Sequence, residues 1–412
     1  MKNILELQNC VHRVASGELS VSLASKICGY TAQHIRVMTE KYKIRGDSVF
    51  IHGNKGRSPA LKTAAAMRKK IVETYHKEYE GLNFAFFADC LREFKGISIS
   101  NKTVYNILTQ EGISSPEKKN VTKEEKMHRP RMRRAHEGEL LQIDATPYDW
   151  FGDGHRYSLH GSIDDATGKL TGLYMCVNEC LYGYLELIRQ TFFKHGGGHP
   201  AAIYSDRSAI FCKTKQGSKE LTVAEQLAGL HESHTQWQRV LSELGVTQIL
   251  AWSPQAKGRI ERVWRTLQGQ LPTYFKEYGI KDINTANVWL NSTFLDIFNK
   301  KFSVPPADST PVWHKTYKDP DYILCARYPR KTSSAGIFSF EGYKWLLDKP
   351  RAANISFDLC VSEKGIRAYK DGEWYGVKLL EDIQEVEGEH TPYVLKEIIY
   401  KYMYKDGKKE SD

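Results

Sequence analysis

No stretch of the 412 residues is apolar for the ~18 positions that a membrane span requires. The opening MKNILELQNC is interrupted by Glu6 before a signal-like apolar core can form. These absences exclude a helical membrane protein and lead us to expect a cytoplasmic one. Cysteine is sparse and scattered, at positions 10, 28, 90, 176, 180, 212, 325 and 360, and no Cys-x-x-Cys occurs. Neither a disulfide framework nor a zinc ribbon follows, and reduced, buried thiols are expected. No Gly-Lys-Ser/Thr stands behind a glycine-rich loop, so no phosphate-cradling ATP site is expected. What remains is a chain too long for one ordinary core, with several domains that fold without staples.

Charge is unevenly spread. Residues 1 to 135 hold 25 Lys+Arg against 13 Asp+Glu, a net of +12, whereas the remainder holds 34 against 36, a net of −2. The overall +10 therefore belongs to the first third, the electrostatic footprint of a nucleic-acid binder.

That first third carries two helical patterns. Ile4, Leu7, Val11 and Val14 have helical spacing; Leu23, Ala24 and Ile27 define a short second helix. Gly29 then supplies a turn and Thr31 an N-cap for a third helix burying Ile35, Met38 and Tyr42. This order is that of a helix-turn-helix, with Gln33, His34 and Arg36 directed outward towards DNA, or of a plain three-helix bundle. The pattern recurs as a basic helix over 61–79, an apolar one from Phe84 to Phe94 and a third in ISISNKTVYNIL, capped by Ser98 or Ser100. Here Val104, Ile107 and Leu108 face inward and Asn101, Lys102, Thr103 and Asn106 outward. Between the two lies HGNKGRSP, whose Lys55 and Arg57 fit an extended minor-groove arm or a flexible linker. A charged linker follows, in which Arg129, Arg131, Arg133 and Arg134 are expected to track phosphate.

From Glu139 the pattern turns to strands. ELLQIDATPYDWF places Leu141 and Ile143 on one face and Gln142 and Asp144 on the other, and YSLHGSIDDATG and KLTGLYMCVN complete an antiparallel meander. A helix over about 181–194, the strand AAIYSD ending at Asp206, a helix around 235–244 and the strand VTQILAW lead into SPQAKGRIERVWRTLQ. The order βββ-α-β-α-β-α predicts a mixed sheet with helices on its faces. In the last helix Ile260, Val263, Trp264, Leu267 and Leu271 form the core stripe, while Glu261, Arg265 and Gln268 share an adjoining face. Asp144, Asp206 and Glu261 can thus reach one edge of the sheet, and three carboxylates there are the donor set for two Mg²⁺ ions in phosphoryl-transfer chemistry. Singly, each acid is equally a turn former or a partner of the helix dipole.

LLQIDAT, SIDDATG, IYSDRSAIF and AWSPQAKGRIERVWRTLQ resemble the integrase-core motifs of DDE transposases and retroviral-type integrases. The SPQAKGRIER form is close to insertion-sequence transposases of the ISNCY group, and the likeness covers about residues 1 to 380. It implies a ribonuclease-H-like integrase core with Asp144, Asp206 and Glu261 as the catalytic, metal-binding triad, using Mg²⁺, with Mn²⁺ able to substitute. It further implies that Pro254, Gln255, Lys257 and Gly258 lie on a mobile active-site loop and that Arg259, Arg262 and Arg265 contact DNA backbone. Partners would be double-stranded DNA, as terminal inverted repeats and as target, and a second copy of the chain, because two element ends must be joined. Asp206 and Glu261 stand 55 positions apart, longer than the retroviral spacing. The HHCC zinc module of integrases is missing, so no zinc is implied. Competing acids are Asp164 and Asp165 in a hairpin turn and Asp149 and Asp153 in a loop, all suited to turn chemistry. His195 and His199 in HGGGH have metal-like spacing in a glycine-loosened loop.

A helix over 282–300 ends at the Pro-rich SVPPADSTPVW, and the strands beyond it suggest a small β-barrel, in which Tyr343, Trp345, Trp374 and Tyr375 serve as core or as stacking surface. The charged tail KYMYKDGKKESD is expected to fray. The expected layout is a helix-turn-helix domain over 1–52, a basic linker over 53–60 and a second helix-turn-helix domain over 61–112. A basic linker over 113–137, the catalytic core over 138–310, the barrel over 325–385 and a tail over 386–412 complete it. The resulting expectation is a transposase; the rival is a DNA-binding regulator or transposition inhibitor with an inert core.

Overall fold

The computed structural model describes residues 4–51, 63–116, 132–194, 198–212, 235–251, 258–316, 319–380 and 390–404. The chain divides into two compact units, one of residues 1–81 and 100–114, the other of 82–99 and 115–412.

The first unit opens with α1 (Ile4–Ala15), α2 (Val21–Cys28) and α3 (Ala32–Arg45). Their core is Leu7, Cys10, Val11, Leu19, Ala24, Cys28 and Ile35, with Met38 and Tyr42 packed at its margin. Ser20 and Thr31 cap α2 and α3 by accepting from Leu23 N and His34 N, and Gly29 takes the left-handed conformation that ends α2. The short second helix is present, and its inward face is made by the short side chains Ala24 and Cys28, while Leu23 and Ile27 are 49% and 53% exposed. The second trio is α4 (Ala65–Glu78), α5 (Phe84–Phe94) and α6 (Asn101–Gln110), with Ser100 as the cap of α6. It does not stay together: α4 and α6 belong to the first unit and α5 to the second. The composition of α5 accounts for this, since Phe84, Phe86, Phe87, Ala88, Cys90 and Leu91 are all buried. Within its unit Phe86 and Phe94 meet Tyr274, Asp89 pairs with Lys301, and Glu93 accepts from Tyr278 at 2.9 Å.

The second unit is organised on a five-stranded mixed sheet in the order β3-β2-β1-β5-β6. Strands β1 (Leu140–Tyr148), β2 (Tyr157–Asp164) and β3 (Leu170–Cys176) form the antiparallel meander. After α7 (Leu181–Lys194) and the two-residue β4 (Gly198–His199), β5 (Ala202–Ser205) lies parallel to β1. Helix α8 (Gln236–Leu244), started by a Thr235 and Gln238 capping box, leads to β6 (Thr247–Leu250), parallel to β5. Helices α9 (Gly258–Gln268), α10 (Leu271–Tyr278), α11 (Ile283–Trp289), a π-helical turn (Leu290–Phe294) and α12 (Leu295–Phe302) follow. Strand order and directions fit the integrase-core architecture expected. Edge strand β3 would leave its outer backbone groups unpaired, and side-chain amides take them: Asn287 bonds both N and O of Met175, and Asn299 both N and O of Leu170.

Beyond β7 (His314–Lys315) and α13 (Pro320–Ile323) comes a barrel-like, nearly closed sheet in the order β8-β11-β12-β13-β10-β9. Its strands are β8 (Ala326–Lys331), β9 (Ile337–Phe340), β10 (Tyr343–Asp348), β11 (Ser356–Ser362), β12 (Gly365–Lys370) and β13 (Glu373–Leu379). One continuous core joins Leu141, Ile143, Tyr184 and Trp237 of the mixed sheet and its helices to Phe338, Trp345 and Phe357 of the barrel. Trp345 is core, bonding Phe340 O, whereas Trp374 is half-buried and donates to Asp319 at 2.8 Å. The fraying tail is a correction as far as residue 404. Helix α14 (His390–Ile399) and the turn Tyr400–Tyr404 bury Val394, Ile398 and Met403 in that core, and Lys401 and Tyr402 both bond Glu341. Its charges mask an apolar stripe at helical spacing.

Candidate active site

The site is built where β1 and β5 run parallel. Gln142 is the partner of Tyr204, so Asp144, within β1, and Asp206, just past the end of β5, each two residues further along, stand level with one another. Because the pair is parallel, both lie at the level of the C-terminal end of β5. Asp206 stands just past the end of β5 and accepts from Ser208 N at 2.9 Å, so it also forms its turn. Asp144 pairs across the ladder with Gly161 of β2 and accepts from Trp264 Nε1 at 3.1 Å. Trp264 lies so close over Gly161 that a Cβ there would stand 2.6 Å from its Cη2. Glycine is therefore what lets the indole of Trp264 on α9 reach across the sheet to Asp144. The sequence reading placed Trp264 in the core, which is correct, but missed its hydrogen bond; Gly161 opposite a strand aspartate was the available signal.

Helix α9 is fixed along β1 at successive turns. Arg259 pairs with Asp165 at 2.7 Å, Trp264 bonds Asp144, and Gln268 donates to Thr146 Oγ1 at 3.3 Å. Glu261 is exposed in the first turn of this helix, one turn before Trp264. A fourth carboxylate, Glu179, was not foreseen. It accepts from the buried Tyr184 hydroxyl at 2.6 Å, and its pKa is raised, first by burial and then by the charges of Asp206 and Asp144. Negative charge and oxygen-only donors thus concentrate at this sheet edge, a set suited in chemistry to Mg²⁺. Among the described residues, no group of three or more His, Cys, Asp or Glu lies close enough to hold a metal ion: Asp144 and Asp206 are matched, and Glu261 is not gathered with them.

The competing acids have structural partners. Asp164 is fully buried and accepts from Thr167 N and Oγ1 and from Gly138 N; burial raises its pKa against those bonds. Asp149 collects the N–H groups of Gly152, Asp153 and Gly154, and Asp153 those of His155 N and the Tyr157 hydroxyl. His199 is buried with its ring facing His314 at 5.7 Å between centroids. His195 lies outside the described residues, as do Lys55, Arg57, Arg129, Arg131, Pro254, Gln255 and Lys257.

Of the expected DNA contacts, Gln33, His34, Arg36, Asn101, Lys102 and Asn106 are exposed on α3 and α6, and Thr103 is half-buried with its hydroxyl against Ser100. Arg262 and Arg265 are exposed on α9. Arg259 is placed differently from the expectation, its charge directed inward to Asp165 with only 18% of its side chain exposed. Arg133 donates to the carbonyls of Asp165 and Ala166 and Arg134 to Glu139, though both remain exposed.

Comparisons with known proteins set this arrangement in context. The chain is 29% identical over 341 residues to "Putative transposase y4bF" of Sinorhizobium fredii, spanning 82% of this chain and 71% of that protein. It is 29% identical over 323 residues to the transposase for insertion sequence IS1202 of Streptococcus pneumoniae, spanning 71% of this chain and 67% of that one. The chain is thus similar to insertion-sequence transposases along most of its length. No protein-family model matches it. Distant structural likenesses are to a simian T-cell lymphotropic virus intasome (14% identity, 75% of this chain, 97% of that chain, TM-score 0.29). Another is to the magnesium-bound HTLV-2 integrase catalytic core in its trimeric form (16%, 38% and 87%, TM-score 0.27).

Proposed function

We propose that the protein is a DDE-type insertion-sequence transposase that binds the terminal inverted repeats of its element, cleaves the 3′ ends and joins them to target DNA. The matched level of Asp144 and Asp206 on adjacent parallel strands, beside a helix that carries Glu261, is the observation that supports this reading. Asp144, Asp206 and Glu261 would hold Mg²⁺, or Mn²⁺ in its place, and the bound ions supply activation of the attacking oxygen and neutralisation of the leaving one. The chain's own residues orient the carboxylates: Trp264 Nε1 holds Asp144 and the Ser208 N–H holds Asp206. Arg262 and Arg265, exposed on the same helix, offer charge to phosphate near the reacting bond. The exposed polar faces of α3 and α6 would read the element ends. Joining two ends requires at least a dimer on DNA, and the reaction needs no ATP.

Purified protein incubated with a labelled element end, target DNA and Mg²⁺ tests the reading. Asp144→Asn, Asp206→Asn and Glu261→Gln should each abolish cleavage and strand transfer while leaving end binding near the wild-type level, because the anionic oxygens serve the metal and the fold does not need them. Activity surviving in one variant removes that residue from the site. Specific end binding without any cleavage by the wild-type chain, under either metal and with paired ends, would favour the regulator.

A further inference from the structure

Asp165 has no part in the carboxylate site above, yet its side chain is completely buried and both oxygens are engaged. Oδ1 accepts from Arg259 Nε at 2.7 Å and Gln142 Nε2 at 2.8 Å; Oδ2 accepts from the backbone N–H of Arg134 at 2.9 Å. Its own N–H donates to Leu140 O at 2.9 Å, which locks the residue to the start of β1. A turn-forming aspartate needs none of this, and the neighbouring Asp164 already closes the turn through Thr167. Burying an ion pair costs more in lost hydration than an apolar pair of similar size, so its gain is directional rather than energetic.

The direction is set by what Arg259 precedes. It is the second residue of α9, and Glu261 is two residues on, in the same turn. First turns of helices have unpaired N–H groups and open most easily; here the first turn has the buried Ile260, while the polar anchors Trp264 and Gln268 lie C-terminal to Glu261. We infer that Asp165 is a positioning residue: by gripping Arg259 it fixes the first turn of α9, which carries Glu261, on the sheet that carries Asp144. Through the Arg134 N–H the same carboxylate ties the segment leading from the DNA-binding helices to that turn. This inference rests on the proposed role of Glu261, but the anchoring itself is separately measurable.

Full-length Asp165→Asn, Arg259→Gln and Arg259→Lys are compared with wild type by thermal melting, end binding, hydrogen exchange of peptides covering 258–264, and Mn²⁺ binding followed by electron paramagnetic resonance. In Asp165→Asn and Arg259→Gln, exchange in 258–264 should rise by about tenfold, the change expected when a charge-assisted bond to a buried carboxylate is lost. Half-saturation by Mn²⁺ should move several-fold higher, with end binding kept, and Arg259→Lys should recover much of both. If Asp165→Asn fails to fold, Arg259→Gln carries the test, since its side chain is at the margin of the core. Unchanged exchange and unchanged Mn²⁺ half-saturation in a folded variant overturn the inference. A wild-type chain that shows the exchange effect on mutation but cleaves no element end leaves the clamp standing and defeats the transposase reading instead.

Discussion

Replacing Gly161 by alanine tests the link between the sheet and α9 with one methyl group. Gly161 is mid-strand and outside the left-handed region, so alanine meets no backbone strain there. Its Cβ, however, would stand 2.6 Å from Trp264 Cη2 and 3.3 Å from Leu173 Cδ2. Carbon contacts settle at about 3.5–4.0 Å, so the indole must retreat by roughly 1 Å. The Trp264 to Asp144 bond, 3.1 Å long, is then stretched out of hydrogen-bonding range. Overpacking costs about 1–3 kcal/mol. Losing a bond to a charged acceptor costs about 1.5–3 kcal/mol, but the retreat that breaks the bond also relieves the crowding, so the two do not add in full. The stiffer unfolded chain returns about 0.4–1 kcal/mol. A net loss of about 1–3 kcal/mol follows, lowering the melting temperature by about 2–4 °C per kcal/mol. Cleavage of a labelled end should fall about 10- to 100-fold with end binding kept, as a misplacement of about 1 Å at a reacting site does. Trp264→Phe, which removes the donor without adding bulk, should share the catalytic loss with a smaller melting shift. Wild-type melting and cleavage in Gly161→Ala would refute the seating of the indole; a melting shift with full cleavage would refute its role in holding Asp144.

Two further outcomes follow from the charge distribution and from burial. Burial pushes the pKa of His199 below the ordinary imidazole value, with His314 adding to the shift, so the unfolded chain takes up a proton more readily than the folded one. Stability should therefore be intact above about pH 6.5 and fall on acidification through that value; in melts across this range His199→Asn should show a shallower fall than wild type, and an equal slope would exclude His199 as a source. Arg36 and Lys102 are exposed on α3 and α6. If each neutralises one phosphate, Arg36→Ala and Lys102→Ala should weaken end binding and each reduce the slope of log affinity against log salt by about 1, measured by mobility shift; an unchanged slope would remove that residue from the interface.

Local pattern alone determined much of this protein. The stripe Ile260, Val263, Trp264 and Leu267 is buried as its spacing requires, Thr31 and Ser100 cap the helices they precede, and alternation in LLQID marked the first strand. Such features depend on neighbours within a few residues, which the chain carries wherever it folds. Asp144, Asp206 and Glu261 were nameable from local signs and the resemblance, but the sequence could not show that the first two stand level on adjacent strands. Partnership across the fold was decided only by tertiary structure. Arg259, a phosphate contact by what the resemblance implies, turns inward because a buried Asp165 lies 94 positions away in sequence and 2.7 Å away in space. The charged tail packs because Val394, Ile398 and Met403 find the barrel's core. A side chain's environment is set by whichever segment the fold delivers to it, and no spacing along the chain records that.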